Sequence, residues 1–349
     1  MVDVSPASAD TLPAPGAAAG RSSASLRARL RRFRDFSLIP VILLLLVVGF
    51  IASPNFLTTD NMLAVLQQAT ELSVLVLAEA LVLIAGQMDL SLESTIGLAP
   101  VIAVWLVLPA HGGRFNGLGL GLPGWTALPL CLVIGAAIGA LIGLLRVMVR
   151  LNAFIVTLGM LITLRGLQTA ITGGQSIFQL PGSFTYLGST SWIGIPASVW
   201  VCALLFAAGV GVLGWYRHGR ALYAVGGNAD AARAAGIRAD RLVWIVFIVA
   251  GTLAAFAGIL YTGHYGSIAA TQGQGMIFRV FAATVIGGVS LNGGRGSIFG
   301  ALTGAVTLQL IDNVLSFAGV PPVWEQFLDG VIILGALVVS RFASGEAQD

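Results

Sequence analysis

The chain is dominated by long apolar runs, and these leave it few possible folds. Runs of roughly 17 to 25 apolar residues, long enough to cross a bilayer as a helix, recur about ten times. They cover 37–52, 63–85, 94–110, 126–145, 153–172, 194–214, 242–262, 275–290, 297–317 and 325–341. Only 9% of the 349 residues are charged, against about 25% in soluble domains. The sequence predicts an all-α, polytopic integral membrane protein with about ten transmembrane helices, in a range of about eight to ten.

The arginines orient these spans. All 18 basic residues are arginines, and with the N-terminal tail placed inside, 15 of them fall on that side of the membrane. Arg114 falls on the other side, and Arg165 and Arg279 lie within spans. This asymmetry follows the positive-inside rule, so both termini are predicted to be cytoplasmic. Because topology explains the clusters, the net charge gives no reason to expect a nucleic-acid partner.

Composition divides the chain into three parts. Residues 1–35 are rich in Ala, Ser, Pro and Gly and end in a cluster of arginines, which predicts a disordered basic cytoplasmic tail that contacts anionic membrane lipid. Residues 36–342 form the predicted transmembrane domain, and 343–349 a short cytoplasmic tail. Cys131 and Cys202 lie within apolar runs, where packing is their expected role.

One hydrophilic segment, 215–241, interrupts the apolar pattern. Asn228 is a good helix N-cap, Asp230 suits the first turn, and Gly236 suits a C-terminal stop. These signals predict a helix of about two turns, too short to be stable by itself in water. We expect it to dock into a groove on another protein at the cytoplasmic side. An ordinary cytoplasmic loop with some helical content is the alternative.

Two apolar runs are broken by glycine and then by polar residues. The first break follows Ile84 and continues through Asp89 and Ser91, and the second follows Ile286 and continues to Asn292. Paired interrupted helices in corresponding halves indicate a translocation path in transporters. Chance coincidence competes with this interpretation, since the chain contains 45 glycines. At the first break, polar groups suit either a solute path or a cap on the next helix, formed by Ser91 or Ser94.

Ionisable residues within spans are costly and are functional-site hypotheses by default. They are Glu71, Glu79, Arg165, Arg279, Asp312 and Asp329. Simple pairing is the alternative role, and we expect Glu79 to pair with Arg165 and Asp312 with Arg279. The chain has no lysine, which excludes a nucleotide loop ending in Gly-Lys, and shows no nucleophile or metal motif. It is therefore predicted not to be an enzyme.

Several motifs in order resemble the permease subunits of ribose-type sugar ABC importers. They are Asp89-Leu90-Ser91, the run Phe154 to Met160 with Arg165-Gly166 and Thr172 to Gln175, and the run Gly219 to Ile237. The resemblance extends from about Leu38 to Arg341. Within it, Asp230-Ala231-Ala232-x-x-x-Gly236 is similar to the coupling signature of ABC importers, with Asp in place of Glu.

The resemblance implies a bacterial inner-membrane transport complex. Its partners would be a second permease subunit, identical or different, ATP-binding cassette subunits and a periplasmic solute-binding protein. The cassettes would use ATP and magnesium, and this chain would bind no cofactor. Departures from the family pattern are Gln87 and Glu93 near the first break, which would affect the solute or the gate, and the long basic tail.

We therefore predict a permease for a monosaccharide or similar polyol. The expected ATPase-coupling residues are Asn228, Asp230, Ala231, Ala232, Gly236 and Ile237. The expected translocation-path residues are Asp89, Ser91, Asn152, Thr157 and Asn292. A secondary carrier or channel that depends on Glu79, and a membrane scaffold or receptor, are the alternatives from other classes. Within the importer class, a nucleoside, a signalling furanose or a branched-chain amino acid remains an alternative solute.

Overall fold

A computed structural model describes residues 38–111 and 115–321, with positions 324, 327–328, 330–331 and 334–335. The predicted tails 1–35 and 343–349 lie outside the described residues, as does most of the tenth apolar run. Arg114, Asp329 and Arg341 also lie outside them.

Most of the described residues are helical. Twelve α-helices run in the order α1 (Ile39–Ala52), α2 (Thr59–Ile84), α3 (Leu92–Val107), α4 (Ala127–Val147), α5 (Ala153–Thr172), α6 (Gly182–Ser189), α7 (Ala197–Trp215), α8 (Arg217–Gly227), α9 (Ala229–Ala234), α10 (Ala239–Tyr265), α11 (Met276–Ile286) and α12 (Ile298–Phe317). Short 3-10 turns occupy Pro54–Leu57 and Gly124–Thr126. A two-stranded antiparallel pair joins β1 (Ser191–Trp192) to β2 (Ile195–Pro196).

The first nine predicted apolar runs each overlap one of these helices, which confirms an all-α, polytopic membrane protein. Among the described residues, six helices are long and apolar enough to cross a membrane: α2, α4, α5, α7, α10 and α12. The other three, α1, α3 and α11, have 14, 16 and 11 residues. At about 1.5 Å per residue, a helix as short as α11 reaches roughly half of the hydrocarbon thickness.

Helices α2 and α10 form the centre of the bundle. Most of α2 is buried against its neighbours, and α10 packs along α4, α3 and α2. Glycines on α4 allow its backbone to approach α10 closely, because a Cβ at Gly139 would overlap the carbonyl oxygen of Phe247. Small residues make such approaches possible in membrane helices. Cys131 and Cys202 are buried and free, and Cys131 Sγ donates to the Ala255 carbonyl oxygen at 3.6 Å, in keeping with a packing role.

The long loop after α5 is fastened to the bundle. Its helix α6 packs against α10, and Gln67 Nε2 on α2 donates to the Gly188 carbonyl oxygen at 2.6 Å. Earlier in the loop, Ile177 and Ile268 exchange two backbone hydrogen bonds of 2.9 Å. The loop is therefore held against one end of the bundle.

Ion pairs between helices agree with one expectation and overturn another. Arg279 on α11 pairs with Asp312 on α12, as predicted. Arg165 pairs with Glu93 at 3.3 Å, so the predicted pairing of Arg165 with Glu79 is wrong. The reason is rotational: Arg165 points toward α3, whereas Glu79 faces the segment between α2 and α3 and accepts a backbone hydrogen bond from Asp89 at 3.4 Å.

Candidate functional site

One end of the bundle collects the segments that the sequence analysis singled out. It contains both glycine breaks, the turn between α4 and α5, and the 215–241 segment. Residues from all of these segments line two adjoining cavities. We call it the arginine-rich end, because Arg146, Arg150, Arg295 and the five arginines of the 215–241 segment belong to it. The loops around α6 lie at the opposite end.

The predicted docking helix is α9, and its ends have the expected caps. The Asn228 side-chain oxygen accepts hydrogen bonds from the backbone N–H groups of Asp230 and Ala231 at 3.0 and 2.9 Å. At the other end Gly236 has a φ of +82°. The Ile237 N–H donates to the Ala232 carbonyl oxygen at 3.0 Å, which closes a Schellman motif. The local sequence therefore defines both limits of the helix.

Helix α9 is anchored on one side and open on the other. Ala232 is 5% exposed and Ile237 packs against the core, whereas Ala231 and Gly236 are exposed. A Cβ at Gly236 would meet no atom within 4 Å. The outer side is thus a smooth ridge of small residues that a partner can approach.

Arg233 braces the same helix. It forms ion pairs with Asp230 at 2.6 Å and with Asp240 at 3.1 Å, and these two carboxylates raise the pKa of its guanidinium above the ordinary value, Asp240 most. Because the groups are exposed, the pairs contribute little to stability. They do join α9 to the first turn of α10.

A second helix in the same segment, α8, was missed by the sequence analysis. It leads directly into Asn228, and its buried residues are Gly219, Leu222 and Val225. Their spacing of three residues is the signal that predicts one buried helix face. Helix α8 packs on α7 and touches α2, so it connects α9 to the bundle.

The C-terminal end of α8 meets both glycine breaks. A Cβ at Gly226 would overlap the Ile84 carbonyl oxygen and would lie 2.6 Å from the Gly294 nitrogen. The Gly294 N–H itself donates to the Ile84 carbonyl oxygen at 3.0 Å. Gly86 and Gly293, both with positive φ, complete the contact. We call Gly86, Gly226, Gly293 and Gly294 the glycine junction. It brings together the two breaks that the sequence analysis paired.

Three of the predicted path residues are buried and brace the first break. Asp89, Ser91 and Thr157 are all fully buried. One Asp89 carboxylate oxygen accepts from the Ser91 N–H at 2.9 Å and from its hydroxyl at 2.5 Å. The Thr157 hydroxyl lies 3.5 Å from the Met88 carbonyl oxygen, at the limit of a hydrogen bond, which brings α5 against the break. Ser91 occupies the N-cap position of α3, but its side chain makes no capping hydrogen bond, and Ser94 Oγ donates to the Leu161 carbonyl oxygen at 2.7 Å. The predicted serine cap is therefore wrong, because Asp89 binds the Ser91 hydroxyl instead.

The two asparagines lie elsewhere. The Asn152 side chain accepts from the Phe154 N–H at 2.9 Å and so caps α5, and it lines a cavity of about 490 Å³. Asn292 is exposed and lines a cavity of about 640 Å³ together with Asn228. The five predicted path residues thus form a buried group of three and two separate cavity residues.

The two departures from the family pattern are engaged in the packing. Glu93 pairs with Arg165, and its second carboxylate oxygen accepts from the Ile277 N–H at the start of α11 at 3.3 Å. Gln87 accepts a hydrogen bond from Arg146 Nε at 2.7 Å. Both polar residues therefore join separate helices. Among the described residues, no group of three His, Cys, Asp or Glu side chains is arranged to hold a metal ion.

These features define a multi-pass membrane protein with an exposed short helix at its arginine-rich end. The chain belongs to the family described as the branched-chain amino acid transport system / permease component, whose family model matches residues 61–337. It is therefore the permease component of an ABC importer of the bacterial inner membrane, a transport subunit and not an enzyme, with ATP hydrolysis in a separate subunit. Importers of this kind work with an ATPase and a binding protein.

Curated relatives support this assignment. The chain is 34% identical over 309 residues to the ribose import permease protein RbsC of Escherichia coli (strain K12), covering 87% of this chain and 92% of that protein. It is 36% identical over 310 residues to the autoinducer 2 import system permease protein LsrC of Klebsiella pneumoniae, covering 89% and 87%. No solved structure matches the chain. These relatives do not favour a secondary carrier or a scaffold.

Proposed function

We propose that this permease passes a monosaccharide or a similar polyol from a periplasmic binding protein into the cytoplasm. The names of its relatives support this solute class, because one is a permease for ribose and the other for autoinducer 2. A nucleoside, a signalling furanose or a branched-chain amino acid is the second candidate within the importer class, as the family description includes the last. Uptake of labelled solutes by the reconstituted complex distinguishes them.

Coupling to ATP hydrolysis runs through α9 in this proposal. The observation that carries it is the continuous connection from the exposed α9 ridge, through α8, to the glycine junction. Asn228 and Gly236 fix the helix ends, Ala232 and Ile237 anchor it, and Asp230 and Ala231 lie on its exposed side. When ATP draws the cassettes together, the movement of α9 is transmitted to both breaks. ATP and magnesium are used by the cassettes, and this chain binds no cofactor.

We also propose a membrane topology and a solute path. The arginine-rich end faces the cytoplasm, the chain has ten spans, and both termini are cytoplasmic. Asp89, Ser91 and Thr157 hold the first break where the solute passes, whereas Asn152 and Asn292 face the exit. A solute handed over by a binding protein needs only weak hydrogen bonds along this path.

A second permease subunit completes the path. Helix α5 exposes Gly159, Thr163, Gly166 and Ala170 on one side, and a Cβ at either glycine would meet no atom within 4 Å. Small residues on an exposed membrane-helix face favour helix association. We propose that α5 faces the second subunit.

Replacement of Gly236 by leucine tests the coupling proposal. Leucine at a positive φ costs roughly 1 to 2 kcal/mol and places a bulky side chain on the ridge. We expect Gly236→Leu to insert normally but to lose the cassette during affinity purification. Gly173→Leu is the matched control, since Gly173 also has a positive φ and open surroundings but follows α5. Wild-type cassette retention and transport in Gly236→Leu would contradict the proposal.

A further inference from the structure

Two adjoining cavities lie behind α9 at the arginine-rich end. Their volumes are about 640 and 490 Å³, and both are lined by Gly86, Gln87, Arg146 and Arg150. Arg233 and Asp240 line only the larger one. We call the two together the arginine cavity. Its walls come from α4 and the following turn, from both breaks, and from the segment that joins α8 to α9.

Positive charge in this cavity exceeds negative charge. Arg233 is balanced by its ion pairs with Asp230 and Asp240. Arg146 and Arg150 have no carboxylate within ion-pair distance among the described residues. Two guanidinium groups that share a cavity without a counter-ion repel each other. An anion bound between them would attract both groups and offset this repulsion.

The geometry of both arginines suits an anionic ligand. Arg146 Nε donates to the Gln87 side-chain oxygen at 2.7 Å, which fixes the direction of the guanidinium and leaves its terminal nitrogens for another acceptor. Arg150 has a φ of +58°, a conformation that non-glycine residues rarely adopt. Such backbone strain is concentrated at functional sites. Arg146 lies in the last turn of α4, where a positive charge interacts favourably with the helix dipole, and this explains its position without a ligand. The helix dipole does not explain the strained backbone of Arg150.

We propose that the arginine cavity binds the phosphate group of a phosphate ester on the cytoplasmic side, held between Arg146 and Arg150. Planar guanidinium groups bind phosphate oxygens in pairs. The amides of Asn228 and Asn292 supply hydrogen bonds to the rest of the ligand. The proposal rests on the cytoplasmic orientation given under the proposed function. Both a phosphorylated sugar and a phospholipid headgroup carry the required group.

A ligand in this cavity would act on transport. It touches the α4–α5 turn, the first break through Gln87, the second break through Asn292, and α9 through Asn228. A ligand that binds one arrangement of these segments better than another favours that arrangement. A phosphorylated form of the imported solute would thereby change the rate of further import.

Calorimetry on the purified permease complex in detergent tests the site. The probes are ribose 5-phosphate and inorganic phosphate, with ribose as the uncharged comparison. We expect the two phosphates to bind, ribose not to bind, and Arg146→Gln with Arg150→Gln to weaken binding by roughly tenfold for each arginine. Arg217→Gln is the matched control, because Arg217 belongs to the same end but lines neither cavity. Absence of phosphate binding, or unchanged binding in the double variant, overturns the proposal unless the lipid arm shows the same site occupied.

Nanodiscs separate the two sources of the phosphate. If a lipid headgroup occupies the site, phosphatidylglycerol nanodiscs will abolish ribose 5-phosphate binding that phosphatidylcholine nanodiscs permit. Native mass spectrometry will then show retained phosphatidylglycerol in the wild type and its loss in the double variant. If neither lipid nor free phosphate depends on the two arginines, the inference fails. Cassette retention in the same preparation shows separately whether the coupling proposal stands.

Discussion

The two glycine breaks share a backbone structure but differ in their surroundings. At the first, the Gln87 N–H donates to the Val82 carbonyl oxygen at 3.0 Å, and Gly86 is left-handed. At the second, the Val289 N–H donates to the Thr284 carbonyl oxygen at 3.1 Å, and Gly288 is left-handed. Each helix thus ends in a Schellman motif, in which glycine adopts the left-handed conformation at little cost.

Beyond these motifs the breaks diverge. The first continues into Asp89 and Ser91, which are fully buried and bonded to each other. The second continues into a turn between Val289 and Gly296 in which Asn292 and Arg295 are exposed. Within this turn the Ser290 N–H donates to the Arg295 carbonyl oxygen at 3.0 Å. The Tyr223 hydroxyl of α8 donates to the Gly296 carbonyl oxygen at 2.9 Å. We therefore expect the first break to be a fixed support and the second to move with α8.

Gly226 is the residue on which both breaks depend, so its replacement has the largest expected effect. In Gly226→Ala the new methyl group overlaps the Ile84 carbonyl oxygen, and overpacking of this kind costs up to about 3 kcal/mol. We expect a marked loss of thermal stability in detergent and loss of transport. Gly227→Ala is the control, because its methyl group would meet no atom within 4 Å. Equal stability of the two variants would show that the junction is loosely packed.

Asp89 and Asn292 test the difference between the breaks. Asp89→Ala leaves the buried N–H and hydroxyl of Ser91 without their acceptor, at a cost of about 1 to 3 kcal/mol. Asn292→Ala alters an exposed side chain and should change stability by less than about 0.5 kcal/mol. Thermal unfolding of the purified variants measures both. Loss of transport in Asp89→Ala with no loss of stability would assign Asp89 to the solute path and not to bracing.

Tyr223→Phe has a smaller expected effect on stability than Gly226→Ala or Asp89→Ala. It removes the hydrogen bond to Gly296, which contributes about 0.5 to 1.5 kcal/mol. If the second break moves with α8, solute uptake per ATP hydrolysed in proteoliposomes should fall while cassette retention stays normal. Tyr186→Phe, at the opposite end of the bundle, is the comparison. An unchanged ratio would indicate that Gly226 alone transmits the movement.

Features with local causes were predictable. Apolar runs located nine helices, because burial in lipid requires a continuous apolar stretch in each helix. The ends of α9 were predicted by Asn228 and Gly236, since capping depends on residues only a few positions apart. The first break was also visible, as glycine followed by Asp89. Helix α8 was missed because its buried face includes only a few apolar residues within a polar segment.

Ion-pair choice was not predictable, because it depends on helix rotation. Arg165 selects Glu93, and Glu79 lies against the backbone of Asp89. In the sequence, Glu79, Asp89 and Glu93 are all plausible partners for Arg165. Helix rotation also decides the pairing of Glu71 on α2 with His264 on α10, so this pair was not predictable. Glu71 Oε1 and His264 Nδ1 lie 2.6 Å apart.

The sequence by itself determined the membrane class, the placement of most helices, the family and the caps of α9, since each depends on composition or on neighbours along the chain. The tertiary structure decided which of the 45 glycines matter together. Gly86, Gly226 and Gly294 are far apart in sequence, and only close packing of three backbones distinguishes them from the rest. It also decided that Arg146 and Arg150 share one cavity with both breaks, because a cavity is a property of assembled walls.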